Sequence, residues 1–120
     1  MRLLLVDDST TMRRIQKNQL AAMGITDVVE AEDGDDGFKK LEANMPVDIM
    51  LLDWNMPVMD GFSLLKKIRA LPQYAGVKII MCTSESEKSR VVEALQAGAS
   101  NYIVKPFEPE ALQKKLGIKK

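Results

Sequence analysis

Short apolar runs alternate with longer amphipathic stretches along the whole chain. The runs are Leu3–Val6, Val28–Ala31, Asp48–Leu52, Val77–Cys82 and Asn101–Val104. Their length and their content of Leu, Ile and Val predict five strands. Between them, residues 10–23, 35–44, 60–71, 87–97 and 108–116 carry apolar positions at helical spacing. Phe62, Leu65 and Ile68 form one stripe, and Val91, Val92 and Leu95 form another. In the first helix Met12, Ile15 and Met23 line up, with Gln19 interrupting the row.

The punctuation agrees with this division. Asp8 or Ser9 is placed to cap the first helix, and Gly24 follows it as a left-handed cap would. Asp60 suits the N-cap of the third helix, and Pro72 stops it. Gly98 ends the fourth, and Pro109 sits in the first turn of the fifth.

Residues 3–6, 49–52 and 79–81 are continuously apolar rather than alternating. Strands buried on both faces read that way, as in a parallel sheet covered by helices. Strict strand–helix alternation demands the same architecture with right-handed crossovers. The expected fold is therefore α/β, a single-domain (βα)5 doubly wound parallel sheet spanning residues 1–120. No linker, repeat or low-complexity tract divides it. Ligands of such sheets bind at the carboxyl ends of the strands, where the strand order reverses.

Composition narrows the chemistry available there. The chain has no histidine and one cysteine, Cys82. Histidine bases, imidazole metal sites, disulfides and Cys-rich zinc sites are all excluded. Formal net charge is zero, which gives no hint of a nucleic-acid binder. The halves differ, however: residues 1–60 hold 6 basic and 12 acidic groups, and residues 61–120 hold 11 and 5. No apolar run approaches the roughly 18 residues of a membrane span. Leu3–Val6 is too short for a signal-peptide core, so a cytoplasmic protein is expected.

The predicted strand ends carry the polar groups. The first run is followed by Asp7-Asp8, the third by Asp53, the fourth by Thr83-Ser84 and the fifth by Lys105-Pro106. Each alone fits an ordinary cap, turn or loop residue. Together they put three acids, hydroxyls and a lysine at one sheet edge. Two unit charges 4 Å apart repel by about 4 kcal/mol at an effective dielectric near 20. Three clustered acids therefore need a cation. Lys105 can serve one, and a hard divalent ion, Mg²⁺ or Mn²⁺, can serve the rest. A carboxylate can attack phosphorus to give an acyl phosphate, with the protein supplying position and charge neutralisation. Asp53, the single acid at its strand end, suits the nucleophile, and the adjacent pair Asp7-Asp8 suits a metal.

Val6-Asp7-Asp8-Ser9, Asp53-Trp54-Asn55-Met56-Pro57, Thr83-Ser84-Glu85 and Lys105-Pro106-Phe107 together resemble the response-regulator receiver family. Thr11-Met12-Arg13-Arg14-Ile15, Trp54-Asn55-Met56-Pro57 and Gln96-Ala97-Gly98-Ala99-Ser100-Asn101-Tyr102 narrow the resemblance to its single-domain chemotaxis members. The resemblance implies a flavodoxin-like sheet in the order 2-1-3-4-5. It implies a two-component signalling switch rather than an enzyme acting on a separate substrate. Asp53 would take a phosphoryl group from a sensor histidine kinase, which supplies the histidine this chain lacks. Asp7, Asp8, Asp53 and Asn55 would hold Mg²⁺. Lys105 would pair with the phosphoryl group, and Thr83 and Tyr102 would form the switch. Asn55 and Glu85, each two residues past a site residue, would tune dephosphorylation.

The expected partner face comprises Lys88, Arg90, Val91, Tyr102, Val104, Phe107, Leu112 and Lys115. Apolar and aromatic residues among cations suit an acidic amphipathic partner, such as a flagellar motor switch protein or another output protein. A phosphatase is a further expected partner, nucleic acid and membrane are not, and the chain is expected to be a monomer. Alternative readings are a phosphorelay intermediate or phosphate sink, and a receiver cut from a larger DNA-binding regulator. A flavodoxin-like electron carrier is disfavoured because Asp7 and Asp8 would repel a flavin phosphate. An aspartyl phosphatase is disfavoured because it needs a second acid where Asn55 stands.

Overall fold

The computed structural model describes residues 2–54, 59–83, 90–104 and 108–116. The strands are β1 (Leu3–Val6), β2 (Val28–Ala31), β3 (Ile49–Asp53), β4 (Lys78–Thr83) and β5 (Asn101–Val104). They form one parallel sheet in the order β2-β1-β3-β4-β5. The helices are α1 (Thr10–Ala22), α2 (Gly34–Asn44), α3 (Gly61–Arg69), α4 (Val91–Gln96) and α5 (Pro109–Leu116). A short 3-10 turn at Pro72–Tyr74 follows α3. This is the expected (βα)5 architecture and sheet order. β3 and β4 each run one residue further than the apolar pattern suggests, so Asp53 and Thr83 are themselves the last residues of their strands. Of the α4 range 87–97, residues 87–89 lie outside the described residues.

Alternation along each strand sorts the core into two layers. Leu4, Val6, Met50, Leu52, Ile79 and Met81 pack with Leu41, Leu64, Leu65, Ile68 and Ala94. Leu3, Leu5, Ile49, Leu51, Ile80, Cys82 and Ile103 pack with Leu20, Leu112 and Leu116. Thus α2, α3 and α4 cover one face, and α1 and α5 cover the other. The starts of α1, α2 and α3 are capped by side chains. Ser9 accepts from the Met12 N–H at 3.2 Å, Asp33 from Asp36 at 2.7 Å and Asp60 from Ser63 at 2.8 Å. Gly24 and Gly98 both have positive φ, at +85° and +112°.

Two helix faces differ from the apolar spacing. In α1 the inward residues are Gln16 and Leu20, while Ile15 is 45% exposed. Successive helix positions turn by about 100°, so with Gln16 inward its neighbour Ile15 faces away. In α4 the buried residues are Val91 and Ala94, while Val92 and Leu95 are 64% and 42% exposed. A small alanine occupies the inward position that the spacing assigned to larger residues.

Arg69 joins four segments at the amino-terminal edge of the sheet. Its guanidinium donates to the carbonyls of Gly98 at 2.8 Å, Tyr74 at 3.1 Å and Val77 at 2.7 Å. Burial lowers its pKa from the ordinary arginine value. It ties the end of α3 to the 3-10 turn, the approach to β4 and the α4–β5 turn.

Both side-chain polar atoms of Gln16 are buried without a hydrogen-bond partner among the described residues. An unsatisfied amide costs about 1–3 kcal/mol. Gln16→Leu is therefore expected to stabilise the fold by roughly 1–2 kcal/mol. The readout is a higher urea midpoint at unchanged m-value. A lower midpoint would show that the amide is satisfied.

Candidate functional site

Strand order reverses between β1 and β3, because β1 is flanked by β2 on one side and β3 on the other. The carboxyl ends of these two strands deliver Asp7-Asp8 and Asp53. Their carboxylate oxygens come within 4.8 Å of one another. Asp7 and Asp53 are buried and Asp8 is exposed, so the cluster opens to solvent on one side. The three acids singled out from the sequence are thus brought together.

Local structure fixes Asp7 and Asp53. The Asp7 carboxylate accepts the Ser9 N–H at 2.9 Å, and Ser9 in turn caps α1, so the β1–α1 turn is closed by its own polar residues. Arg13 from the second turn of α1 donates to the Asp7 carbonyl oxygen, and its Nε lies 3.2 Å from Glu30 on β2. Sequence reasoning gave Arg13 no role at the site. Its acceptor is a main-chain carbonyl, which leaves no charge pattern to read.

Asp53 is held from the other side. The Trp54 N–H donates to the Cys82 carbonyl at 3.2 Å, and the Trp54 carbonyl accepts the Gly61 N–H at 2.8 Å. Gly61, the first residue of α3, lies so close to the Asp53 carbonyl that a Cβ there would overlap it. The Trp54 ring is buried on the α2–α4 face, stacked on Phe62 with centroids 5.2 Å apart and an interplanar angle of 4°. It is therefore a core residue next to the site rather than one on the pocket rim.

Thr83 ends β4, beside Cys82, which pairs with Asp53 in the sheet register. Its hydroxyl is fully buried with no hydrogen-bond partner among the described residues. Tyr102 on β5 pairs with Met81 in the register and packs partly buried against the α2–α4 core layer. The Lys115 ammonium lies 4.6 Å from its ring centroid and donates to Asn101 at 3.3 Å. Lys105, Asn55, Glu85, Lys88 and Phe107 lie outside the described residues.

The expected partner face needs correction at two positions. Val91 and Leu112 are buried, each in the helix face that covers the sheet, and so are not available to a partner. The exposed apolar residues of α4 are Val92 and Leu95, which the expectation omitted. Arg90 is exposed, and Tyr102, Val104 and Lys115 are partly exposed.

The cluster's chemistry fits a hard divalent cation. Its donors are carboxylate oxygens, and among the described residues no imidazole or thiolate joins them. Gly61→Ala tests how tightly the backbone positions this cluster. The added methyl must displace the end of β3 or the start of α3, so stability should fall by about 1–3 kcal/mol and Mg²⁺ affinity should fall with it. Gly76→Ala is the control, since nothing lies within 4 Å of its added Cβ. Equal effects of the two substitutions on Mg²⁺ affinity would refute the positioning role.

Comparison with known proteins agrees with this geometry. Residues 3–117 match the family described as the response regulator receiver domain. The chain is 51% identical over 118 residues to "Chemotaxis protein CheY1" of Helicobacter pylori, covering 98% of this chain and 95% of that protein. It is 52% identical over 116 residues to "Chemotaxis protein CheY homolog" of Campylobacter jejuni, covering 97% and 89%. Among solved structures, chemotaxis protein CheY4 of Vibrio cholerae superposes with a TM-score of 0.86 at 36% identity, over 97% of this chain and 95% of that one. A "probable two-component system response regulator/GGDEF domain protein" superposes with a TM-score of 0.90 at 30% identity; the match covers 98% of this chain and 48% of that one. The chain belongs to the response regulator receiver domain family, the switch module of two-component signalling.

Proposed function

We propose that Asp53 is the phosphoryl acceptor of a chemotaxis switch in which residues 1–120 act as one receiver unit. The observation that carries this reading is the gathering of Asp7, Asp8 and Asp53 within 4.8 Å at the point where strand order reverses. Asp53 is buried at the end of β3, beside a Thr83 hydroxyl that has no hydrogen-bond partner among the described residues on the next strand. The resemblance to proteins named for chemotaxis, at about half identity over nearly the whole chain, supports the pathway.

In the transfer, an Asp53 carboxylate oxygen forms a bond to phosphorus. The phosphorus–nitrogen bond to the kinase histidine breaks, and the imidazole leaves with its electron pair. The fixed Asp53 main chain positions the attack in line. Asp7, Asp8 and Asp53, with Asn55, would hold Mg²⁺, which supplies neutralising charge for the phosphoryl oxygens. Lys105 pairs with the transferred group, and the Thr83 hydroxyl turns to donate a hydrogen bond to it. Asn55 and Glu85 would tune the later hydrolysis of the acyl phosphate.

Phosphorylation adds about −1.5 to −2 charges and three acceptor oxygens. Movement of Thr83 toward them leaves space on the α2–α4 face. Tyr102 moves into that space, because alternation places both residues on this face. The surface that changes is α4, β5 and α5, with Arg90, Val92, Leu95, Tyr102, Val104 and Lys115 as its accessible residues. Its cations and apolar side chains suit an acidic amphipathic output partner such as a motor switch protein.

Acetyl phosphate with Mg²⁺ is expected to add one phosphoryl group to the intact mass, and Asp53→Asn should abolish the addition. Labelling that persists in Asp53→Asn would overturn the acceptor assignment. Separately, Trp54 is the only tryptophan. Its emission should change on titration with Mg²⁺, saturating at one ion per chain, and Asp8→Ala should weaken the response. Calorimetry showing no Mg²⁺ binding at tens of millimolar would remove the metal from this site.

A further inference from the structure

Val6 is the last residue of β1, paired with Ala31 on β2 and with Leu52 on β3. Asp7 comes next, beyond the strand, and its main-chain groups still need partners. Its N–H donates to the Ala31 carbonyl at 3.1 Å, which carries the ladder one bond further. Its carbonyl oxygen is taken by a side chain: the Arg13 guanidinium, reaching back from α1, donates to it through Nη1. The same guanidinium is anchored from behind. Its Nε lies 3.2 Å from a Glu30 carboxylate oxygen, and Glu30 stands on β2, paired with Leu5 of β1. Only 13% of the Arg13 side chain is exposed. A guanidinium that holds a carboxylate and a carbonyl in its rigid fork is a stiff brace between β2 and the end of β1.

The braced carbonyl matters because of what it is joined to. A peptide is planar, so a fixed Asp7 carbonyl orients the plane that leads into Asp8. Asp7 and Asp8 are two of the three acids whose oxygens lie within 4.8 Å of one another. The Asp7 carboxylate is itself held by the Ser9 N–H at 2.9 Å. Asp8 is the exposed member, and the direction in which its side chain leaves the backbone follows from the plane that Arg13 sets.

Charge alone would give Arg13 the opposite effect. A guanidinium beside acids that hold a cation repels that cation, so its removal would tighten the binding of every divalent ion alike. Rigidity separates the ions. Mg²⁺ demands near-ideal octahedral geometry at about 2.0–2.1 Å, whereas Ca²⁺ accepts roughly 6–8 oxygens at about 2.3–2.6 Å in flexible arrangements. Loosening the Asp7–Asp8 main chain therefore costs Mg²⁺ more than Ca²⁺. We propose that Arg13, backed by Glu30, is a positioning residue that makes the acidic site selective for Mg²⁺ over Ca²⁺. This rests on the reading that Asp7, Asp8 and Asp53 hold a divalent ion.

The test titrates the full chain with MgCl₂ alone and with CaCl₂ alone, by calorimetry, as wild type, Arg13→Ala, Arg13→Lys and Lys17→Ala. Lys17 is the charge control. Its ammonium lies 3.1 Å from the other Glu30 oxygen, so its loss removes a cation from the same cluster and leaves the bond to Asp7 in place. Arg13→Ala should weaken Mg²⁺ binding by about tenfold, the usual effect of losing a group that orients a metal ligand. Ca²⁺ binding should weaken less, so the ratio of Mg²⁺ to Ca²⁺ affinity falls. Arg13→Lys keeps the charge and loses the fork, and should give a ratio between those of Arg13→Ala and wild type. Lys17→Ala should leave the ratio unchanged. Amide hydrogen exchange without metal is the second readout: the N–H groups of Asp7 and Ser9 should exchange faster in Arg13→Ala than in Lys17→Ala. An unchanged ratio in Arg13→Ala, or tighter binding of both ions, would overturn the positioning role and leave Arg13 acting through its charge. Equal falls of the ratio in Arg13→Ala and Lys17→Ala would overturn it too, as would a wild type with no preference for Mg²⁺. A wild type that binds neither ion would overturn the metal reading of the acids and the selectivity with it, while the exchange rates would still report on the brace.

Discussion

Three carboxylates packed within 4.8 Å of one another are the constraint around which the rest of the structure is arranged. At an effective dielectric near 20, each ionised pair at that distance is unfavourable by about 3–4 kcal/mol. Repulsion among the three acids opposes their assembly, and the apolar strands behind them favour it: β1 and β3 are buried along their whole length, and their pairing in register fixes where the next residues emerge. Ser9, Arg13 and Gly61 then remove the remaining freedom through main-chain contacts that do not neutralise the carboxylates directly. The outcome is a concentrated negative charge held rigidly, with one side open to water. Such an arrangement discriminates strongly in favour of a compact, highly charged cation.

Period-two alternation divides the labour of the site. Asp53 shares the parity of Leu51, on the face covered by α1 and α5, whereas Trp54, Thr83 and Tyr102 share the parity of the opposite layer. Charge arrives on one face and is read on the other. The two are linked only at the carboxyl edge, by adjacency along the chain from Asp53 to Trp54 and across strands from Asp53 to Cys82 and then Thr83. A one-residue shift in the register of β3 against β4 would break this relation. That is a physical reason for the sheet to be central, parallel and buried on both faces.

Much of this could be read from the sequence, and the exceptions have a common cause. Doubly buried strands advertise themselves as unbroken apolar runs. The first polar residue after each run marks the site edge, which is why Asp7, Asp8, Asp53 and Thr83 stood out. The α1 face departs from the apolar spacing because one of its two buried positions is the polar Gln16, and the α4 face because an inward position is the small Ala94. Leu112 reads from sequence as a partner residue because an apolar side chain on a helix looks the same whether it faces core or solvent. Arg13 and Arg69 were missed because they bind main-chain carbonyls, and a carbonyl belongs to every residue type.

Arg69 also shows why the two edges of the sheet behave differently. At the amino-terminal edge one guanidinium closes several segments together, and the surrounding turns are bonded tightly to β4. At the carboxyl edge the Arg90 guanidinium lies 5.6 Å from the centroid of the Trp54 ring, and Trp54 directly follows Asp53. The amino-terminal edge therefore fixes the frame in which the strands lie, and the carboxyl edge carries the charged groups that the frame positions. Val92 and Leu95 are exposed on α4 between these two edges.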